Sequence, residues 1–184
     1  MTPAPTIDLS SFASVADALR RGDFSALAPL FEVSPASPSR LSSWLAEGQF
    51  ATDRGALNEA LACACFNGRT AWVDVLLAAG ADLVAGAGTG MNGFHWAANR
   101  GHLATVQLLL QRGMPLEVHN AYGGTVLGCT VWSAVHERRP GQQTVELEAV
   151  VEALLAAGAD PFAAEYPSGH GGIDEALGRY RGQG

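Results

Sequence analysis

One pattern recurs along this chain at a fixed step. Gly68, Gly101 and Ala134 lie 33 residues apart, and so do Cys63, Trp96 and Cys129. Gly80 and Gly113 keep the same spacing. A period of about 33 residues is a strong constraint on the fold, because a single helix pair of that length cannot bury its own apolar face and must stack on its neighbours. The best-kept copy runs Asn92-Gly93-Phe94-His95-Trp96-Ala97-Ala98-Asn99-Arg100-Gly101-His102 and continues to Leu108-Leu109-Leu110-Gln111-Arg112-Gly113. It reads as a short helix, a Gly-His turn and a more apolar helix stopped by glycine.

Gly158 follows Gly113 by 45 residues rather than 33, which places about 12 extra residues inside the third unit. With that shift the second helices superpose: Val73, Val106 and Val151; Leu76, Leu109 and Leu154; Leu77, Leu110 and Leu155. The endings Gly80-Ala81-Asp82 and Gly158-Ala159-Asp160 agree as well.

Phe94-His95-Trp96-Ala97-Ala98, Gly101-His102, Val106 to Leu110 and the Gly-Ala-Asp endings resemble the ankyrin repeat family, over roughly Leu57 to Asp160. The resemblance implies an all-α solenoid. We expect about four helix pairs and a C-terminal capping helix, with insertions in the first and third units. Residues 1–11 read as a flexible lead-in and 12–184 as a single repeat domain. The family's arrays are mostly binding scaffolds with unrelated partners, so the resemblance speaks to fold more than to function.

Phe12 to Arg21 has an apolar face of Phe12, Val15, Ala16 and Leu19, the spacing of a helix. Gly22-Asp23 resembles the later turn, and Ser25 to Phe31 reads as a short helix with Pro29 confined to its first turn. Leu41, Trp44 and Leu45 stand before Gly48 as Val73, Leu76 and Leu77 stand before Gly80, so Ser39 to Glu47 is expected to be the outer helix of a degenerate first unit. Gln49 to Leu57, Ala81 to Met91, Met114 to Gly124 and Pro161 to Gly172 read as connecting fingers. Asn58 to Phe66, Thr70 to Ala79, Gly93 to Asn99, Leu103 to Arg112, Thr125 to Val135, Val145 to Ala157 and Ile173 to Tyr180 read as helices. His136 to Thr144 is the third-unit insertion, with Arg138 and Arg139 read as a solvated loop.

A formal charge of −7 with 11 Lys and Arg argues against nucleic acid and against an anionic membrane; a basic or mixed-charge partner is easier to accommodate, although an acidic balance alone more often serves solubility. Met1 to Leu9 lacks the basic start and apolar run of a secretory signal, and no stretch approaches the length of a membrane span. Three cysteines, Cys63, Cys65 and Cys129, fit reduced thiols in a cytoplasmic protein. His95 and His102 read as structural histidines. His119, His136 and His170 lack metal-ligand spacing, so neither a metal nor another cofactor is expected. The glycine-rich Ala85 to Gly93 stretch lacks the Lys-Ser/Thr of a phosphate loop. Cys129 with His95, His119, Tyr122 and Glu117 is the best catalytic grouping, but no base is paired with the thiol.

The resemblance implies a concave face formed by the finger tips and the outward side of the first helices. The register puts Cys63, Trp96, Cys129 and Glu175 in one column, Phe66, Asn99 and Trp132 in a second, and Asn67, Arg100 and Ser133 in a third. The expected partner-binding set is Phe66, Met91, Trp96, Asn99, Arg100, Tyr122, Cys129, Trp132 and Ser133. The aromatic side chains serve as anchors and Arg100, Asn99 and Ser133 as orienting donors or acceptors. The partner is a protein or peptide. The alternative is a small apolar ligand, or acid-base chemistry by His119, Glu117 or Tyr122, in a closed pocket formed from the same residues; self-association is a third option, and the structural reading is that inserted loops or neighbouring side chains cover some of the rings. On the main reading, replacing Trp96 and Trp132 by Ala abolishes partner capture and leaves the melting curve nearly unchanged.

Overall fold

The computed structural model describes residues 7–85, 89–137 and 144–182. All regular structure among them is helical: α1 (Phe12–Arg21), α2 (Arg40–Ala46), α3 (Gln49–Thr52), α4 (Arg54–Phe66), α5 (Thr70–Ala78), α6 (Gly93–Asn99), α7 (Leu103–Gln111), α8 (Val126–His136), α9 (Thr144–Ala156) and α10 (Gly171–Arg181), with 3-10 turns at Ala28–Phe31 and Pro161–Ala163. The starts follow side-chain chemistry. Asp53, Asn92 and Thr125 each sit before a helix and accept the backbone N–H three residues on, at 2.9, 3.1 and 3.1 Å. Ser39 and Ser42 cap α2 reciprocally.

Two layers result. Helices α1, α4, α6 and α8 pack side by side in one, and α5, α7 and α9 in the other; a tight glycine turn joins α4 to α5 and α6 to α7. The turns after α4 and α6 are the same structure. Gly68 and Gly101 take φ of 64° and 76°, and Arg69 and His102 each donate a backbone N–H at 2.9 Å to the carbonyl five residues back. A Cβ on Gly68 would come within 2.7 Å of the His102 ring, so glycine there serves contact between units as well as the turn.

Apolar side chains fill the space between the layers: Leu57, Leu61, Val73 and Leu76, then Phe94, Val106 and Leu109, then Val131, Val150, Val151 and Leu154. Polar side chains join successive units where backbone would otherwise be unpaired. His95 Nε2 lies 3.2 Å from the Gly124 carbonyl, His102 Nε2 lies 3.0 Å from the Phe66 carbonyl, and the Thr70 and Thr105 hydroxyls meet at 2.8 Å. On α10, Ile173, Ala176 and Leu177 are buried as the capping reading expects; the helix packs on α9 and the second 3-10 turn.

Three expectations need correction. Gln49 to Leu57 is not an extended finger: it holds α3 and the start of α4. The reason is Phe50, which is buried and meets the Phe12 ring edge-on at 5.1 Å, together with the Asp53 cap. Ser25 to Phe31 yields only the 3-10 turn Ala28–Phe31. Cys63 does not line an exposed column. It is fully buried, its thiol facing the Phe24 carbonyl at 3.8 Å, because the turn after α1 covers α4. The segment after α1 also packs on the stack at the other layer, where Trp72 Nε1 donates to the Val33 carbonyl at 2.7 Å. Gly86, Gly88, Arg138 and Arg139 lie outside the described residues, as does most of the 1–11 lead-in.

Candidate functional site

Eight of the nine residues expected to bind a partner fall into two groups. Phe66, Trp96 and Arg100 form one. Phe66 meets Trp96 at 5.1 Å between centroids, both rings meet Phe24 (5.6 and 6.0 Å), and all three contacts are edge-on. The Arg100 guanidinium lies 3.9 Å from the Phe66 centroid, a favourable placement of cation over ring face. Burial pulls the Arg100 pKa below its ordinary value, and the group remains a cation. Trp96 Nε1 donates to Thr89 Oγ1 at 3.3 Å, so the indole is packed against two rings and hydrogen-bonded through its N–H.

Met91, Asn99, Tyr122, Cys129 and Trp132 form the second group, at a hollow of about 640 Å³. The finger before α8 supplies Asn120, Tyr122 and Gly124, and α8 supplies Gly128, Cys129 and Trp132; Glu137 follows that helix, and the last finger contributes Ala163 and Glu165. Its mouth is open, with Tyr122 81% and Trp132 51% exposed. Among the described residues no ring contact joins Trp132 to Trp96; its aromatic neighbour is His136, at 5.1 Å.

Ser133 belongs to neither surface. It is fully buried, and its hydroxyl faces the Asn99 carbonyl at 3.5 Å and Glu137 Oε2 at 3.2 Å, so its hydrogen bonds are spent inside the protein. Asn99 reaches the hollow with only 6% of its surface exposed.

The Tyr122 finger is held by Asn120. Its Oδ1 accepts the N–H groups of Tyr122 and Gly124, both at 2.9 Å, while its Nδ2 faces Cys129 Sγ at 2.9 Å. This is the local side-chain turn for which Asn is suited. Ala121 donates its N–H to the Gly90 carbonyl at 2.9 Å and ties this finger to the preceding one. Tyr122 therefore projects from a fixed loop. Gly124 leaves room for the thiol, since a Cβ there would approach Cys129 Sγ to 2.7 Å.

Burial raises the Cys129 pKa above its ordinary 9.0, opposed by the Asn120 amide, so the thiol stays protonated at neutral pH and lacks the thiolate needed for attack. Burial also raises Cys63 and Cys65. All three cysteines are free thiols. His95 is pushed down from 6.5 by burial, so its ring is neutral between Asn92 Oδ1 and the Gly124 carbonyl. Among the described residues no three His, Cys, Asp or Glu side chains converge as metal ligands would. No helix among them is long and apolar enough to cross a membrane.

Sequence reasoning did not find Asn120, Glu137, Ala163 or Glu165. The Asn120-Ala121-Tyr122-Gly123-Gly124 run was a usable signal, because Asn followed by glycines marks a side-chain-stabilised turn. Ala163 and Glu165 carried none, since the last finger has no later copy to be compared with.

Residues 89–121 match the family model of the ankyrin repeat. The match begins in one finger, takes in α6 and α7, and ends in the next finger, one full period. It includes Met91, Asn99 and Asn120 and stops just short of Tyr122. No curated protein matches the chain.

Proposed function

We propose that this ankyrin repeat protein is a binding module that takes a protein or peptide partner at the hollow beside Tyr122 and Trp132. The observation that carries the reading is the exposure of those two rings, 81% and 51%, at the mouth of a hollow of about 640 Å³. Burying the exposed part of one such ring, roughly 100 Å² of apolar surface, contributes about 2.5 kcal/mol to association. The supporting frame is rigid where it needs to be: Asn120 fixes the Tyr122 loop, and α8 carries Trp132. A pre-organised surface loses little entropy when it binds.

The test compares capture from a native lysate by the wild-type chain and by Trp132→Ala and Tyr122→Ala. The reading expects the captured set to shrink for both variants while thermal unfolding stays unchanged. An identical captured set would overturn it. The volume also favours a second reading, a small apolar ligand, since 640 Å³ lies within the range of small-molecule sites. The open mouth weighs against it. A shift in Trp132 fluorescence with an apolar compound library, absent with peptides, would favour it instead.

A further inference from the structure

Among the described residues, the charged side chains that line the hollow are carboxylates. Glu137 and Glu165 are its ionisable carboxylates, and no arginine lines it among the described residues. The rest of its wall is aromatic, apolar or neutral: Trp132, Tyr122, Met91, the Asn99 amide and the protonated Cys129 thiol. Ring faces with carboxylates beside them recognise a cation, because the ring quadrupole and the carboxylate charge both attract it while the apolar wall holds its aliphatic stem.

The molecule already uses this chemistry on either side of the hollow. Arg100 covers Phe66, at 3.9 Å. Arg181 stands 4.5 Å from the Tyr166 centroid and 5.0 Å from Phe162, and donates to the carbonyls of Pro161 and Ala164, which flank Ala163. Among the described residues no guanidinium covers Trp132 or Tyr122. The overall charge of −7 adds a long-range attraction for a basic segment.

We infer that the hollow is a receptor for one lysine or arginine side chain of a basic peptide segment, with Trp132 and Tyr122 supplying ring faces and Glu165 the opposing charge. The inference rests on the peptide-binding reading above and adds the chemistry of the residue that enters. Lysine and arginine share that chemistry, and the experiment separates them.

The experiment titrates the ¹⁵N-labelled chain with four capped Gly-Ser nonapeptides that differ only in the central residue: lysine, arginine, norleucine or glutamate. Trp132→Phe assigns the Trp132 indole N–H resonance. The lysine and arginine peptides are expected to shift that resonance and the Gly124 and Gly128 amides at least tenfold more tightly than norleucine, and glutamate is expected not to shift them. Glu165→Gln should weaken the cationic peptides severalfold and leave norleucine unchanged.

Equal binding of norleucine and lysine would overturn the cation receptor and leave the peptide-binding reading standing. A preference for glutamate would overturn it too. The absence of any shift at millimolar peptide would remove both readings. A second readout follows from the sequence, in which all 11 cationic side chains are arginine. With no lysine amine of the chain to compete, carbodiimide coupling of the lysine peptide is expected to map to Glu165. Adducts scattered over the other carboxylates would sink the proposal.

Discussion

Phe66 and Trp132 share one column of the register and meet opposite fates, Phe66 packed with Trp96 and Trp132 open beside Tyr122. The first pair lies where the turn after α1 folds over α4 and brings Phe24 against both rings. Arg100 closes the remaining face of Phe66. The second pair has α8 beneath it and a finger beside it, and the following helix, α10, packs on α9 and the last 3-10 turn. A repeat fixes which side of a helix a residue occupies. Whether that residue meets water depends on what the next unit puts over it, and here the units at the two ends are the least alike.

The largest expected effect tests this division directly. Trp96→Ala removes an indole with two ring contacts and a hydrogen bond, and should cost about 3 kcal/mol, the low end of the range for a core tryptophan because Trp96 is only partly buried. Chemical denaturation measures it. A cost below about 0.5 kcal/mol, the usual surface value, would return Trp96 to the exposed face and join the two regions into one groove. The simple expectation that both tryptophans could be removed without changing the melting curve is therefore divided: it is kept for Trp132 and given up for Trp96.

Acidification sharpens the comparison next. His95 and His102 are both held below 6.5, by burial in each case. A depressed histidine binds its proton more readily in the unfolded chain. Its stabilising effect is complete above the ordinary value of 6.5 and is lost as pH falls from there through the folded value. The melting temperature should accordingly drop between pH 7 and pH 5, and His102→Gln should flatten the slope. His102 holds the Phe66 carbonyl, so the Phe66 and Trp96 side should loosen first, visible as earlier hydrogen exchange at the turn after α4. A melting temperature that rises on acidification would contradict the neutral, buried assignment.

The units from α4 to α9 were legible because their glycines and aliphatic positions keep one step. Their helix ends fall within a residue or two of the reading, except at the start of α4. There the controlling residues, Phe50 and Asp53, belong to a unit too degenerate to align, and burial of one ring overrode the finger pattern. The candidate site was legible by column and not by depth. Ser133 looked like an outward-facing donor, yet its hydroxyl is buried between the Asn99 carbonyl and Glu137. Phe24 gave no sign of capping Trp96, since periodicity cannot place a ring from an irregular turn. Glu165 comes from a finger without a later copy, so no register reaches it.

A smaller effect distinguishes the roles of the two cation-over-ring sites. Arg100→Ala should destabilise by about 1 kcal/mol, the contribution of a partly desolvated cation on a ring plus lost packing of its stem. It should leave the Trp132 indole resonance unmoved, because Arg100 belongs to the closed cluster. A shift at Trp132 of the size expected for lysine-peptide binding would mean that Arg100 reaches the hollow and that the two regions communicate.

The smallest stability change belongs to the region with the largest functional weight. Trp132 is half exposed, and its aromatic contact is His136 on the same helix, one turn away. Removing it to Ala deletes little packing between units, so the denaturation midpoint should move by no more than about 0.5 kcal/mol. Ala also has higher helix propensity than Trp, which offsets part of the loss within α8. Binding of the lysine peptide should fall at least tenfold in the same variant, followed through the Gly124 and Gly128 amides. Tyr122→Ala should behave alike, because its ring is the more exposed and the Asn120 turn beneath it needs only the Tyr122 backbone N–H. If Trp132→Ala instead unfolds the chain, the indole is holding α8 in place, its exposure is incidental to packing, and the contrast between a sealed cluster and an open receptor fails at its second term.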